Sequence, residues 1–395
     1  MTPEIYPTLK HLVLIGGGHS HAIALRLFGL NPLPEVQLTL ISEAPNTPYS
    51  GMLPGYVAGF YSYDDCHINL RSLAQFAGAQ LRIDQAIGLD LVNNYVLCAH
   101  HPPVTFDLVS IDTGSTPAIS ASLTELDWVL PAKPIRRFLE NWKQLVQQVQ
   151  QQPDQPICIA IVGGGAGGVE LAFNIQHHLH HILQIAEQPL SHLTLHLFQS
   201  DIDLLPEHNR CVRDRVRRLF RERGIYYHLQ ERVIDIHDHQ LYCESGLTIA
   251  CNYVIWVTQA TAPEWLAEAG LAVDPKGFIL VNDCLQSISH PQVFAAGDVA
   301  TMINYVRPKA GVIAVRQGKP LYQNWRRALH HQPLQPFQPQ PQFLSLIGTG
   351  GGSAIASRGM LAGESPFLWW WKDRIDRRFM QQFTHLALRS QRANS

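Results

Sequence analysis

The chain has little charge, and what it has nearly cancels: 30 Lys and Arg stand against 32 Asp and Glu, a net charge of -2 with a pI near 6.8. No whole-molecule field exists to hold a polyanion, so nucleic acid is not an expected partner. Cysteine is scarce and scattered. Cys66, Cys98, Cys158, Cys211, Cys243, Cys251 and Cys284 form no C-x-x-C and no metal-finger spacing, which argues against a disulfide scaffold or a zinc module and for a reducing, cytoplasmic compartment. No metal site is expected. Long apolar runs are also missing: residues 12–15 are followed at once by Gly16-Gly17-Gly18, too short for a signal segment, and nothing approaches the ~18 residues of a spanning helix. Disorder is excluded in turn, because 46% of the residues are hydrophobic and only 16% charged. At ~150 residues per domain, the 395 residues suggest two or three domains.

What is present begins with His11-Leu12-Val13-Leu14-Ile15-Gly16-Gly17-Gly18-His19 and a helical pattern after it. A short apolar strand, a glycine turn and a helix start make the context in which a dinucleotide pyrophosphate is held by helix-opening amides. Gly16 allows the tight turn and Gly18 the close approach of the phosphates, with His19 beside them. His21 stands where a third glycine or alanine is usual. The alternating strand that follows ends at Glu43, which can accept the hydroxyls of an adenosine ribose or can be an ordinary surface acid. A second unit is complete: after the run Ile157-Cys158-Ile159-Ala160-Ile161-Val162, Gly163, Gly165 and Gly168 fill every glycine position of G-x-G-x-x-G. Its following strand closes on Gln199 in place of an acid. Gln199 can bond a ribose yet repels a 2′-phosphate less than a carboxylate does, which leaves NAD or NADP open. Two dinucleotides in one chain make sense when electrons pass between them.

With these units, Ser110-Ile111-Asp112-Thr113-Gly114 and Val293-Phe294-Ala295-Ala296-Gly297-Asp298 make the chain resemble the two-dinucleotide-binding-domain flavoproteins, the pyridine nucleotide-disulfide oxidoreductase superfamily, in its type II NADH dehydrogenase branch. Thr47-Pro48-Tyr49-Ser50-Gly51-Met52-Leu53-Pro54, Cys66-His67-Ile68-Asn69, Pro308-Lys309-Ala310-Gly311 and Trp371-Lys372-Asp373-Arg374-Ile375-Asp376 are similar to the NADH-dehydrogenase-like module fused in some organisms to selenophosphate synthetase. No kinase-like domain follows before Ser395, so that fused activity is not expected. The resemblance implies an α/β fold of two Rossmann-like domains: an FAD domain over residues 1–130 and 282–327, an inserted NAD(P)H domain over 131–281, and a small helical cap over 328–395. It implies FAD together with NAD or NADP, and an FAD-dependent NAD(P)H oxidoreductase that reduces a quinone or another small acceptor. Thr113, Gly114, Gly297 and Asp298 would meet the FAD, with Asp298 on its ribitol. Pro48, Tyr49 and Leu53 would lie along the isoalloxazine, and Lys309 and Ala310 would open a helix toward its pyrimidine edge, where amides favour negative charge.

Glu170 matches a family glutamate near the nicotinamide, although an acid at a helix start is also favoured by the dipole. Asn174 replaces a second family glutamate, and Gln259 replaces the glycine of a second Thr-Gly turn; Gln199 and Gln259 together suggest as an alternative a flavin-binding sensor or partner-binding protein with an eroded nicotinamide site. Disulfide reductases of the superfamily carry a cysteine pair after the first glycine turn, and residues 18–37 contain no cysteine. Cys66, beside His67, suggests a further alternative, a reductase of sulfur or selenium compounds, though flanking carboxylates would raise the thiol pKa and a buried, inert cysteine is the plainer reading. His177, His178, His180 and His181 share a helix without an acid or cysteine to complete a metal set, so a solvated face is expected. Near the C-terminus Leu368, Trp371, Ile375, Phe379 and Phe383 recur at helical spacing beside Lys372, Arg374, Arg377 and Arg378. That pattern suits a peripheral helix on the inner face of a membrane, or one packed on the FAD domain. A homodimer is the expected assembly.

Overall fold

The two apolar runs before the glycine turns become the central strands of two separate parallel sheets in the computed structural model, which describes residues 9–384 and 386 apart from 118, 120–122, 124 and 259. The departure expected at Gln259 therefore lies outside the described residues. In the first sheet β1 (Lys10–Ile15) has β2 (Val36–Ser42) and then β3 (Gln80–Ile83) on one side. On the other lie β4 (Leu108–Ile111) and the late strand Val293–Ala295. Leu12, Val13 and Leu14 are fully buried, as residues of a parallel strand covered on both faces must be.

The second sheet repeats the plan with β5 (Val129–Pro131), β6 (Ile157–Val162), β7 (Leu193–Gln199), β8 (Tyr226–Leu229) and β9 (Tyr253–Trp256), in the order β5-β9-β6-β7-β8. In each sheet the glycine-turn strand sits where the order reverses, which opens a crevice at the carboxyl ends of the strands. The chain leaves the first sheet after β4, builds the second, and returns to the first at Val293.

Six helices position the crevices: α1 (His19–Leu30), α2 (Ile135–Gln151), α3 (Ala166–Ile185), α4 (Arg210–Glu222), α5 (Gly311–Leu329) and α6 (Pro366–Thr384). The arginine-rich α4 forms because Val212, Val216, Leu219 and Phe220 share its buried face, while the Asn209 side chain accepts from Val212 N at 3.1 Å as its N-cap. α1 and α5 come close at Gly318, where a Cβ would stand 2.6 Å from Ile23. Ser20 Oγ donates to Ala314 O across the same contact at 2.8 Å, so both helices present their N-termini to one place.

The cap is more than helical. Strands Ser345–Gly348, Ala354–Arg358 and Leu361–Ser365 form an antiparallel sheet ahead of α6, short pieces around a Gly350-Gly351-Gly352 turn that carry little periodic signal. Among the described residues no helix is long and apolar enough to cross a membrane.

Candidate functional site

The first crevice is built around a buried acid. Gly16 has φ +91°, and a Cβ there would lie 2.4 Å from Asp112 O, while a Cβ at Gly18 would lie 2.3 Å from the Asp112 carboxyl group. Both glycines are thus needed by β4 as well as by any ligand. Asp112 Oδ2 accepts from His21 N at 3.0 Å, a donor left without a partner at the start of α1. Burial pushes the Asp112 carboxyl up to about 7, so near neutrality it caps the helix about half protonated, with much less negative charge than an ordinary carboxylate. That state suits a pyrophosphate at the same amides, because an ionised carboxylate there would repel it. His21 accounts for its own departure from the glycine pattern. Its ring enters the core, Nδ1 donating to Gly16 O at 2.7 Å and Nε2 accepting from Ser110 Oγ at 2.9 Å, and burial lowers its pKa to about 4.

Around this turn the structure gathers most residues read as flavin contacts. Glu43 stands exposed just past β2. Gly297, at φ +71°, donates its amide to Gln317 Oε1 at 2.7 Å and brings Asp298 to the crevice. Asp298 Oδ2 accepts from Lys133 Nζ at 2.7 Å, and Lys133 also donates to Ser115 Oγ at 2.6 Å, next to Thr113 and Gly114. Nothing local in the sequence singles out Lys133; the contact joins the segment after β5 of the second sheet to the turn after Val293–Ala295 of the first. His19 lies near Asp298, and burial lowers it to about 4; its Nε2 accepts from Ser50 N at 3.3 Å. Ala310 caps α5, where a Cβ on Gly311 would be 2.8 Å from Ser50 Oγ. Lys309 turns away from the helix axis, lying 4.0 Å from the Phe278 ring centroid and donating to Ala300 O and Thr301 Oγ1; burial lowers its ammonium to about 8.

The second crevice is open. No atom lies within 4 Å of where a Cβ on Gly165 would stand, whereas one on Gly168 would fall 1.8 Å from Gly163 O. Gly168 therefore serves the close pass of α3 over the turn, and Gly165 leaves room for phosphates. Gln199 is buried, its Oε1 accepting from Gly164 N at 2.8 Å and its Nε2 donating to Asp201 Oδ2 at 2.5 Å. Both ends of Gln199 are engaged, and the exposed acid at this strand end is Asp201. Asp203 nearby is ion-paired with Arg213 (3.4 Å) and Arg217 (3.3 Å).

Between the crevices lies α6, and here the expected stripe is misplaced. Trp371 and Ile375 are exposed at 40% and 44%, and the buried face is Lys372, Asp376, Phe379, Met380 and Phe383. Phe379 and Phe383 of the expected stripe face inward, but its earlier part turns outward because the Lys372–Asp376 ion pair occupies two inner positions. Lys372 Nζ donates to Asp376 Oδ2 (2.9 Å) and to Gly51 O (2.7 Å), and Tyr49 OH donates to Asp376 Oδ1 (3.1 Å). The Tyr49 ring stacks on Phe379, centroids 4.4 Å apart, and meets His19 edge-on at 5.3 Å. Pro48 enters this loop from a two-stranded antiparallel sheet, and Leu53 starts the short helix after it. Glu170, in the first turns of α3, accepts from Gly348 N at 2.8 Å, and burial pushes it up to about 6 against the pull of Lys372. Asn174 Nδ2 donates to Glu170 O (2.6 Å), and its Oδ1 is buried without a partner among the described residues.

Two other sequence features resolve differently. Cys66 is 2% exposed, and burial, with Asp65 and Asp376 adding to it, pushes the thiol up to about 12. His67 does not activate it, since Nδ1 donates to Tyr63 O at 2.7 Å and the ring stacks on Tyr63. The histidines of α3 are not a fully solvated face. His178 Nδ1 donates to Val57 O at 2.5 Å, tying α3 to the helix after the Tyr49 loop.

A family model described as pyridine nucleotide-disulphide oxidoreductase matches residues 10–318. Ferroptosis suppressor protein 1 of Homo sapiens is 28% identical over 360 residues, which is 87% of either chain. The solved structure of NDH2 from Plasmodium falciparum in complex with NADH has a TM-score of 0.81 at 15% identity, over 95% of this chain and 97% of that one. Sulfide:quinone oxidoreductase from Aquifex aeolicus gives 0.78 at 20% identity, over 95% and 92%. At these identities the two structures establish the fold.

Proposed function

The chain belongs to the pyridine nucleotide-disulphide oxidoreductase family, and from that premise we propose an FAD-dependent NAD(P)H oxidoreductase that passes electrons to a quinone or a similar small acceptor. One observation carries the reading: two glycine-turn crevices in one chain, with no cysteine in residues 18–37 to make a disulfide reductase. FAD supplies the hydride and electron chemistry when bound, and the protein's part is to hold and orient. Gly16, Gly18 and the opening of α1 would receive its pyrophosphate, Glu43 its ribose, and Asp298 its ribitol hydroxyls, with Lys133 balancing the Asp298 charge. The opening of α5 at Ala310 would favour negative charge on the ring. In the second crevice Gly163, Gly165 and Gly168 would receive the nicotinamide dinucleotide.

The nucleotide we infer is NADH. Gln199 props the loop, and the exposed Asp201 carboxylate beside it can accept ribose hydroxyls and repel a 2′-phosphate. The quinone is supported by the likeness to the sulfide:quinone oxidoreductase of Aquifex aeolicus, and the buried, weakly acidic Cys66 works against a sulfur route. The exposed side of α6 carries Phe367, Trp370, Trp371 and Ile375, beside Met360 and Leu361 of the cap sheet, and we assign it contact with a membrane surface from which a lipid-soluble acceptor comes. The test is anaerobic mixing of the yellow protein with NADH and with NADPH while the flavin band near about 450 nm is followed. Bleaching faster with NADH is expected; no bleaching with either nucleotide overturns the reading.

A further inference from the structure

We propose that the glycine turn of the cap, Gly350-Gly351-Gly352, forms with Arg223 and the histidines of α3 a binding site for a phosphate group, apart from both dinucleotide crevices. The site is independent of the oxidoreductase function proposed above, and neither stands or falls with the other.

Three elements meet there. A Cβ on Gly350 would stand 2.4 Å from Phe173 O and 3.0 Å from His177 Cβ, so the turn sits directly on α3. Gln176 Nε2 donates to Arg223 O at 2.8 Å and fixes the end of α4 against α3. Arg223 then lies over the Phe173 ring, 5.0 Å from its centroid, and Nη1 donates to Thr349 O. Its Nη2 faces the tip of the turn, 3.8 Å from where a Cβ on Gly351 would stand.

Donors and positive charge gather here without an acceptor. Arg223 is half-buried, and burial lowers its pKa, as for a cation short of both solvent and counter-ion. The two acids whose fields reach it are engaged elsewhere, Glu364 with Arg215 at 3.3 Å and Glu222 with Arg218 at 3.2 Å. His177 and His180 face the same guanidinium, on a helix whose single acid, Glu170, is bonded to Gly348 N. Among the described residues the rings of His177, His180 and His181 make no hydrogen bond, and nothing accepts from the amides of Gly350, Gly351 or Gly352.

An anion gives each of these groups a partner. Phosphate suits them because its oxygens point in several directions and accept together from a guanidinium fork, consecutive amides and a ring N–H, whereas a carboxylate offers two oxygens in one plane. A row of rings leads from the site to the outer face of α6: Phe60 lies 5.2 Å from His177 and 4.9 Å from Trp369, the neighbour of the exposed Trp370. A phospholipid head group at that face and a soluble phosphate ester offer the same chemistry.

Binding should depend on pH. Burial lowers His177 and His180, and the cations beside them, His178, His181 and Arg223, add to it. The loop at Gly59 and Phe60 brings no charge, and the fields of Glu222 and Glu364 reach Arg223 from α4 and the cap. A bound anion raises the imidazoles again, so binding takes up protons and tightens as pH falls.

The experiment uses the FAD-loaded full chain as wild type, Arg223→Gln, His180→Gln and Gly351→Asp. Gly351 is exposed and has no positive φ, so the new carboxylate occupies the site without straining the turn, and this variant decides the matter should Arg223→Gln fail to fold. The soluble arm follows melting temperature with inorganic phosphate and with dimethyl phosphate, a diester of constant charge, against chloride at equal ionic strength. The lipid arm measures flotation with phosphatidylglycerol vesicles against phosphatidylcholine vesicles. In wild type at least one phosphate source should bind, and the diester or the anionic lipid should bind about tenfold or more tighter at pH 5.5 than at pH 7.5. Arg223→Gln should weaken that binding about tenfold or more, Gly351→Asp should abolish it, and His180→Gln should flatten its pH dependence. A response in the soluble arm identifies a free ester, and one in the lipid arm alone a head group; either supports the site. No response in either arm, equal stabilisation by chloride, or a response unchanged in Arg223→Gln and Gly351→Asp, as for phosphate held in the second crevice, overturns it.

Discussion

Asp112 shows how a single side chain can set the working range of a cofactor site. Its carboxyl is raised to about 7 by burial, so between the ordinary carboxylate range and pH 7 the folded chain holds a proton that the unfolded chain has released. Stability of the FAD-free protein therefore falls as pH rises through that window. A bound pyrophosphate raises the group further, so FAD affinity should fall as pH rises above 7. Asp112→Asn, neutral at every pH, should flatten both curves, as followed by thermal melting and by FAD titration; a wild-type FAD affinity that is level from pH 6 to 9 contradicts the assignment. Asp201 offers a second test at this scale. Asp201→Arg should raise kcat/KM for NADPH relative to NADH by about tenfold or more, the effect of one charge reversal worth about 1.4 kcal/mol or more, and an unchanged ratio removes Asp201 from nucleotide choice. The glycines and Asp298 could be found in the sequence because each belongs to a local pattern. Lys133, whose partner Asp298 is 165 positions away, has no such pattern, and Asp201 lies two residues beyond Gln199, the strand-end position where the ribose acid is usual.

Elements with one unbroken apolar face were legible. The spacing of Phe138, Leu139, Trp142 and Leu145 foretold α2, and all four are buried. α6 was legible as a helix but not in its facing, because Lys372 and Asp376 look like solvent residues until their mutual bond and Tyr49 are seen. The cap strands leave no periodic trace in the sequence, being short and joined around glycines. The corrected facing sharpens the membrane assignment. Replacing Trp370 and Trp371, both largely exposed, by serine should abolish flotation with anionic liposomes while FAD content and melting temperature stay within experimental error. Phe379→Ala, which empties the inner face, should instead destabilise the fold by about 3–5 kcal/mol. If the tryptophan pair melts the protein, or the wild type does not float, the outer face is not a membrane contact.

At the scale of the molecule, the two parallel sheets supply two crevices, and the cap joins them: its first strand meets Glu170 at Gly348 and its helix meets Tyr49 and Gly51. The pairing of glycine turns was readable from the chain because parallel strands are near-continuous apolar runs that end where a ligand binds. The joining was not, since it depends on contacts more than 300 residues apart between Gly51 and Lys372. The central claim is that electrons leave this assembly for a quinone without passing through a thiol. It is tested by double mixing under anaerobic conditions: NADH first, then a short-chain benzoquinone or a persulfide, with wild type and Cys66→Ser compared by recovery of the flavin band. Recovery with the quinone at the same rate in both proteins is the expected outcome. Recovery with the persulfide alone, lost in Cys66→Ser, would contradict it.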